Sequence, residues 1–406
     1  MKKNNSTNDM GMIDLIPLLK QKRLKEHFSS AVAFQKKGML FDAIREWQNA
    51  VSINRDDVQA NLYLALAYYE TGDLKKAKSH MEYVLQERPF DIEILGYMGM
   101  IYFELKDYDR ALKYFEKILS MKPDDREILL IVSEAYSAME MIQEASDIAD
   151  KAIRLYPRDP DVIIRKAVIL ESYGDFHAAV SLLRESLAYN PYHGQTHGVL
   201  GTFYFEHEWL DFAINSLRKA VLYLAEPYDA KVKLSAALYC RGKNEEATFL
   251  LKSLLEQSPD CISASLLLIN NYIVEDQLDE AERMISELMD KYKIKTSHVY
   301  AMLGIIYYKR ADSGNNIKMY KKASAFFKKA LKKDPKSVAL KINLARSLLY
   351  SGYPDTALSN VEAFIEQHPA HPQLYFLLGD IYQAIGLSKY AQESRKLAEY
   401  LGDSQE

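Results

Sequence analysis

The chain has 406 residues, 52 of them basic and 56 acidic, and its net charge of −4 argues against a surface that holds nucleic acid mainly by neutralising phosphates. Its two cysteines, Cys240 and Cys261, are 21 apart without zinc-type spacing, which excludes a disulfide scaffold and points to a reducing compartment. With 48% apolar residues and 29 tyrosines the chain can bury a core without a metal or disulfide staple.

Residues 1–23 are expected to form an N-terminal segment, disordered at its start, with Lys2 and Lys3 ahead of the apolar run Met10 to Leu19. Asp14 and Pro17 interrupt that run and no small-residue cleavage site follows, so a secretion signal is not expected. No apolar stretch approaches the roughly 18 residues that span a membrane. A cytoplasmic protein is the expectation. Met12, Ile13, Leu15, Ile16, Leu18 and Leu19 suggest a short helix capping the first repeat, with a self-docking or partner-binding segment as the alternative.

From residue 24 the chain is a tandem array. Ala43, Ala77, Ala111, Ala145, Ala179, Ala213, Ala247 and Ala281 fall 34 residues apart, and the comb resumes at Ala323, Ala357 and Ala391. Setting this alanine at the twentieth position places repeats one to eight in residues 24–296, repeat nine with an insertion in 297–337, and repeats ten and eleven with the C-terminal end in 338–406. A unit of this length is a helical pair that must stack on its neighbours to bury its apolar face. Position eight reads Ala31, Ala65, Gly99, Ser133, Ala167, Gly201, Ser235, Ile269, Gly304, Ala345 and Gly379, small in all but one case, and marks a helix crossing. Position eleven is a column of large residues, Tyr102 and Tyr136 among them. Gly38, Gly72, Gly174, Gly242, Gly352 and Gly386 sit where first helices end, and Pro89, Pro123, Pro157, Pro191, Pro259, Pro335 and Pro369 follow second helices.

The third repeat, with Gly99, Tyr102, Ala111, Phe115 and Pro123, closely resembles the tetratricopeptide repeat, and the other ten follow it over residues 24 to 405. Met98 stands where that family has a leucine. The resemblance implies an all-α, right-handed superhelical solenoid of about eleven antiparallel helix pairs, with first helices lining a concave face. Repeat eight departs from the pattern at Ile269 and lacks the terminal proline, and repeat nine carries seven further residues between Gly304 and Ala323. Imperfect stacking, a kink or looser joint near residues 290–322 and an exposed loop are expected there; the alternative is an insertion that merely bulges outward.

The resemblance also implies that ligands lie in the groove lined by positions two, five, nine and twelve of the first helices. In the first three repeats these include Phe28, Val32, Leu62, Leu66, Tyr69, Met100 and Phe103, an apolar aromatic strip. Glu134, Asp161 and Glu171 form an acidic interval, and Phe205, Tyr239, Ile273, Tyr308 and Leu349 continue position twelve. The partner-binding candidates are Leu62, Leu66, Tyr69, Met100, Phe103, Phe205, Tyr239 and Tyr308, suited to an amphipathic helix or an extended apolar segment. Packing against the adjacent helix is the plainer reading of the same residues. The carboxylate clamp of co-chaperones in this family is not expected, since Leu62, Tyr63 and Leu66 stand where polar donors are needed. Lys318, Lys321, Lys322, Lys328, Lys329, Lys332, Lys333 and Lys336 could meet an acidic protein or a lipid surface, or form a solvated helix face, since Phe326, Phe327 and Ala330 supply a buried stripe.

Catalytic motifs are missing: there is no H-E-x-x-H, G-x-S-x-G or phosphate loop, and His193 and His197 are in a turn and at a packing phase. No enzyme activity, cofactor or metal is expected. The expected function is a non-enzymatic scaffold or adaptor that binds a protein segment and organises a multiprotein assembly. Bacterial members of the family serve such machines, and the Lys-Asn-rich start is compatible with a bacterial chain. A ligand- or peptide-responsive regulator changing shape at the repeat eight to nine joint is the alternative, and an RNA-binding helical repeat the less favoured third. The polar last helix, with Lys389, Gln392, Glu393, Arg395, Lys396 and Glu399, is expected to close the stack.

Overall fold

The computed structural model describes residues 15–314 and 316–403. Among these residues there are 22 α-helices and no strand. Two units, Met1–Thr196 and His197–Glu406, form separate compact bodies. The first holds the pairs α1 (Leu15–Lys36) and α2 (Leu40–Ile53), α3 (Val58–Glu70) and α4 (Leu74–Glu87), α5 (Ile92–Glu104) and α6 (Tyr108–Met121), α7 (Arg126–Ala138) and α8 (Ile142–Leu155), and α9 (Pro160–Ser172) and α10 (Phe176–Tyr189). The sixth pair, α11 (Gly194–Glu206) and α12 (Leu210–Tyr223), is followed in the second unit by α13 (Tyr228–Cys240) and α14 (Asn244–Gln257), then α15 (Ile262–Val274) and α16 (Leu278–Asp290). The last three pairs are α17 (Ser297–Gly314) and α18 (Ile317–Lys333), α19 (Val338–Tyr350) and α20 (Pro354–Gln367), and α21 (Pro372–Ala384) and α22 (Ser388–Asp403). First helices of successive repeats touch, as α7 with α9 and α19 with α21, so each unit is a stack of helical hairpins.

Local chemistry sets the helix boundaries. Asp57, Asp91, Asp125 and Asp159, one per repeat, accept hydrogen bonds from the free N–H groups of Ala60, Ile94, Ile128 and Val162 at the starts of α3, α5, α7 and α9. Asp73, Asp107 and Asp175 cap second helices in the same way. Among the described residues, the turn inside ten of the eleven hairpins takes a left-handed residue. The six predicted glycines supply it with φ of 71° to 84°, and Lys106, Glu140, Glu208 and Asp276 fill the same position at 57° to 62°. A side chain there is strained by roughly 1–2 kcal/mol, partly offset by the extra unfolded-state freedom of glycine. Glu140→Gly should therefore stabilise the chain by about 0.5–1 kcal/mol in urea denaturation, and a lowered midpoint would contradict this account of the turn.

The small residues of position eight have a physical cause in the second helix. A Cβ on Gly99 would lie 2.3 Å from the Phe115 ring, one on Gly304 2.5 Å from the Phe327 ring, and one on Gly201 2.7 Å from Leu217 Cγ. Phe115, Phe327 and Leu217 share position twenty-four, which continues with Trp47 beside Ala31 and Ala149 beside Ser133. In repeats three, six and nine the bulk of position twenty-four is thus met by a glycine at position eight.

Three expectations change. Residues 15–23 continue directly into the first helix of repeat one as α1, and Leu18 and Leu19 are 68% and 49% exposed, so they do not form a separate shielding helix. Residues 10–14 of that segment lie outside the described residues. Repeat nine has no exposed loop of the predicted extent. Its extra residues lengthen both helices, to 18 and 17 residues against 13 and 14 in repeat three. Ala311 and Tyr320 are buried in the added turns, and the Tyr320 hydroxyl donates to Asp312 at 2.6 Å. The apolar core also runs unbroken from Ile269, Ile285 and Leu288 to Val299, Met302 and Ile306. The joint survives as a longer connector, residues 291–296, in which Lys293 takes φ 58° and the Ile294 N–H donates to Leu288 O, and as a sparser contact of α16 with α17 than second helices make with the next first helix at the other described boundaries. Finally, α22 is mixed on its outer side, where Tyr390, Leu397 and Tyr400 are exposed among the expected charges.

Candidate functional site

The predicted strip is assembled in the first unit by two neighbouring first helices. Leu62, Leu66 and Tyr69 come from α3, and Met100 and Phe103 from α5. All five are half-buried and pack against the core that contains Leu64, Ala65, Met98 and Tyr102. Their spacing explains this. The buried residues of α3, Ala60, Asn61, Leu64, Ala65, Ala67 and Tyr68, leave 62, 66 and 69 on the flank of the buried stripe. Each therefore offers one side to the core and one to the surface.

Polar and aromatic neighbours hold the strip in place. The Tyr69 hydroxyl donates to Glu104 across the repeat boundary, and its ring meets Tyr97 edge-on at 6.1 Å. Burial, reinforced by the Glu104 carboxylate, pushes the Tyr69 hydroxyl well above the ordinary phenol range, so it remains a neutral donor. Phe103 packs edge-on to Tyr108 at 5.3 Å. Phe28, one repeat earlier, is edge-on to Trp47 at 4.9 Å, and Trp47 stacks on Tyr63. These rings are fixed before any partner arrives, which lowers the entropy lost on binding.

Phe205, Tyr239 and Tyr308 are also half-buried, as single residues on α11, α13 and α17 of the second unit. Tyr308 belongs to its own cluster with Tyr320 at 5.4 Å and Tyr350 at 6.4 Å, and burial together with Asp312 pushes its hydroxyl up to about 12. Ile273 is buried in the core of repeat eight and does not line a surface. The acidic interval is largely compensated within the protein. Arg165 donates to Glu134 at 2.6 Å, and Arg126 pairs with both Asp159 and Asp161.

These partners lie close to one period apart, 31 to 35 residues, as do Tyr69 and Glu104 and Lys309 and Asp276. Scanning the sequence for opposite charges one repeat apart would have found them. The Arg126 hydrogen bonds hold the Asp159 carboxyl below its usual range. That group is more acidic when folded, so its stabilisation is complete above the unfolded value near pH 3.9 and is lost as pH falls through the folded value. Arg126→Gln should cost about 1.5–3 kcal/mol at neutral pH. The gap from wild type should shrink as pH drops below about 4, and a gap independent of pH would contradict the pairing.

The histidines serve the fold. His193 Nδ1 accepts from the Thr196 N–H and meets its hydroxyl at the start of α11, and His197 is buried with its ring 5.8 Å from Tyr223. Among the described residues, no three His, Cys, Asp or Glu side chains are grouped to hold a metal, and no helix is long and apolar enough to cross a membrane. An open cleft of about 670 Å³ lies away from the strip, against α6, between Tyr102, Tyr114, Arg110 and Lys117.

Comparison with known proteins agrees with this architecture. Among solved structures, a tetratricopeptide repeat protein from Parabacteroides merdae superposes with a TM-score of 0.52 at 16% identity, covering 62% of this chain and 99% of that one. A thermophilic TPR protein of Thermus thermophilus covers 45% of this chain and 99% of its own at 22% identity and a TM-score of 0.39. Human IFIT1, a dimer with m7Gppp-AAAA, covers 98% of this chain and 96% of its own at 19% identity and a TM-score of 0.47. At such identities the likeness concerns the fold alone. No curated protein sequence matches the chain. Four tetratricopeptide repeat models match residues 31–92, 92–125, 238–303, 300–337 and 342–387, together more than half of the chain. With its helical hairpins, crossing glycines and repeating period, the chain belongs to the tetratricopeptide repeat family.

Proposed function

We propose that this protein is a non-enzymatic cytoplasmic scaffold that captures a segment of a protein partner, an amphipathic helix or an extended apolar stretch, along the first-helix face, and so organises a multiprotein assembly. The observation that supports it is the strip of Leu62, Leu66, Tyr69, Met100 and Phe103, contributed by two repeats, half-buried and held by the Tyr69–Glu104 and Phe103–Tyr108 contacts. Rigid aromatic side chains of this kind give large contact area at low entropic cost. A regulator that bends at the repeat eight to nine joint has less support, since the core there is continuous.

The test is capture from native lysate by wild type and by a Leu66→Glu, Tyr69→Ser, Phe103→Ser variant with helicity checked by circular dichroism. Loss of a prominent protein with the variant supports the reading. Identical catches move the binding surface elsewhere on the chain.

A further inference from the structure

One face of α18 is strongly positive. Its 17 residues include Lys318, Lys321, Lys322, Lys328, Lys329, Lys332 and Lys333 and no acidic side chain. At 100° per residue all seven fall within an arc of about 140°, while Tyr320, Ala323, Ser324, Phe327 and Ala330 occupy the opposite, buried side. Every one of these lysines is exposed. Among the described residues none is within 4.0 Å of a carboxylate oxygen, although the neighbouring Arg310 and Lys309 are both paired. A chain whose net charge is −4 thus concentrates seven cations, none of them in a close ion pair, on one helix about 25 Å long.

The surroundings narrow the class of partner. The second helices of the repeats before and after α18 are acidic in composition. Helix α16 carries Asp279, Glu280, Glu282, Glu287 and Asp290 against a single Arg283, with Asp279 and Glu282 paired to Arg310 of α17, and α20 carries Asp355, Glu362 and Glu366 with no basic residue. The positive strip is therefore one helix wide, roughly 10 Å, between negative borders. A flat anionic membrane would meet the borders together with the strip. A single-stranded nucleic acid would need ring faces on which bases stack, yet the rings here are already covered by ammonium groups. Lys322 lies 5.1 Å over Tyr307, Lys329 5.1 Å over Phe326 and Lys321 5.0 Å over Tyr353.

We infer that the lysine face of α18 is a second binding surface, separate from the first-helix strip, and that it takes a narrow carboxylate-rich protein segment running along the helix. The acidic borders hold such a segment in register by repelling it from either side, and the lysines speed its encounter. Attraction of this kind is screened within about 8–10 Å at physiological salt, so the association is salt-dependent.

The test is fluorescence anisotropy of a labelled oligoglutamate peptide of about ten residues, long enough to span the strip when extended, with the full chain. Wild type should bind, and raising salt from about 50 to 200 mM should weaken binding severalfold. The Lys328→Glu, Lys332→Glu, Lys333→Glu variant should bind at least about tenfold more weakly. The control variant Lys75→Glu, Lys113→Glu, Lys122→Glu, with the same change in net charge on the first unit, should stay within about twofold of wild type. The Leu66→Glu, Tyr69→Ser, Phe103→Ser variant should also bind the peptide normally, so failure of the strip proposal does not pass to this one. The inference is overturned if wild type does not bind the peptide, if the two lysine variants lose binding equally, or if oligouridine of equal charge or phosphatidylserine vesicles bind more tightly than the peptide.

Discussion

Phe115→Ala is expected to destabilise the protein by about 3–5 kcal/mol, the cost of emptying a large, fully buried site. The ring lies over Gly99 in the hairpin of repeat three, where it takes the space in which any Cβ would stand. Gly99→Ala should therefore also destabilise, by about 1–3 kcal/mol, because the ring must leave its rotamer or the helices must part. The two changes should be strongly coupled. In the Phe115→Ala background there is no ring to meet, and Gly99→Ala should cost little or even stabilise by filling part of the cavity. Chemical denaturation of the four proteins, read at the earliest transition because a repeat array can unfold in stages, measures the coupling. Additive losses would show that glycine and ring are not sharing one space.

The second large effect falls on binding with little change in fold. Tyr69 and Phe103 are half-buried, whereas Tyr102 is only 6% exposed, stacks on Tyr114 at 5.7 Å and donates to Glu82. Tyr102→Ala should thus cost about 3–5 kcal/mol of stability. Tyr69→Ser gives up one hydrogen bond and part of a contact, and should cost about 1–2 kcal/mol. Against a bound segment the order reverses. Aromatic anchors at the centre of an interface are commonly worth about 2 kcal/mol or more each, a factor of about 30. Tyr69→Ser with Phe103→Ser should weaken a partner by two to three orders of magnitude while far-ultraviolet dichroism stays at the wild-type level. If Tyr69→Ser unfolds the chain as severely as Tyr102→Ala, the strip belongs to the core and not to a binding face.

Much of the fold was legible because each repeat tests the others. The 34-residue comb, the small residues of position eight and the glycines before six of the second helices all mark real crossings and turns. What escaped notice depends on pairs of positions. The match between Gly99 and Phe115, or Gly304 and Phe327, appears only when two columns are read together. Likewise, Glu134 and Asp161 look like a free acidic patch until Arg165 and Arg126, one period away, are brought beside them. Repeat nine misled for a different reason. Ser313 and Gly314 suggest a loop, but the residues around them keep a helical apolar period, and burial of Ala311 and Tyr320 outweighs the weak local preference. The candidate strip was legible as a set of columns. That its rings would be braced by Glu104, Tyr97 and Tyr108 was not, because bracing depends on side-chain directions between elements.

The most direct test of the binding face is photocrosslinking in cells with benzoylphenylalanine placed at Phe103 on α5, and separately at Lys113 on the outer side of α6. Crosslinking of a discrete protein partner from Phe103, absent from Lys113 and abolished by Leu66→Glu with Tyr69→Ser, is the predicted result. A partner crosslinked equally from both sites, or from Lys113 alone, would contradict the claim that the first-helix strip is where this protein holds its partner.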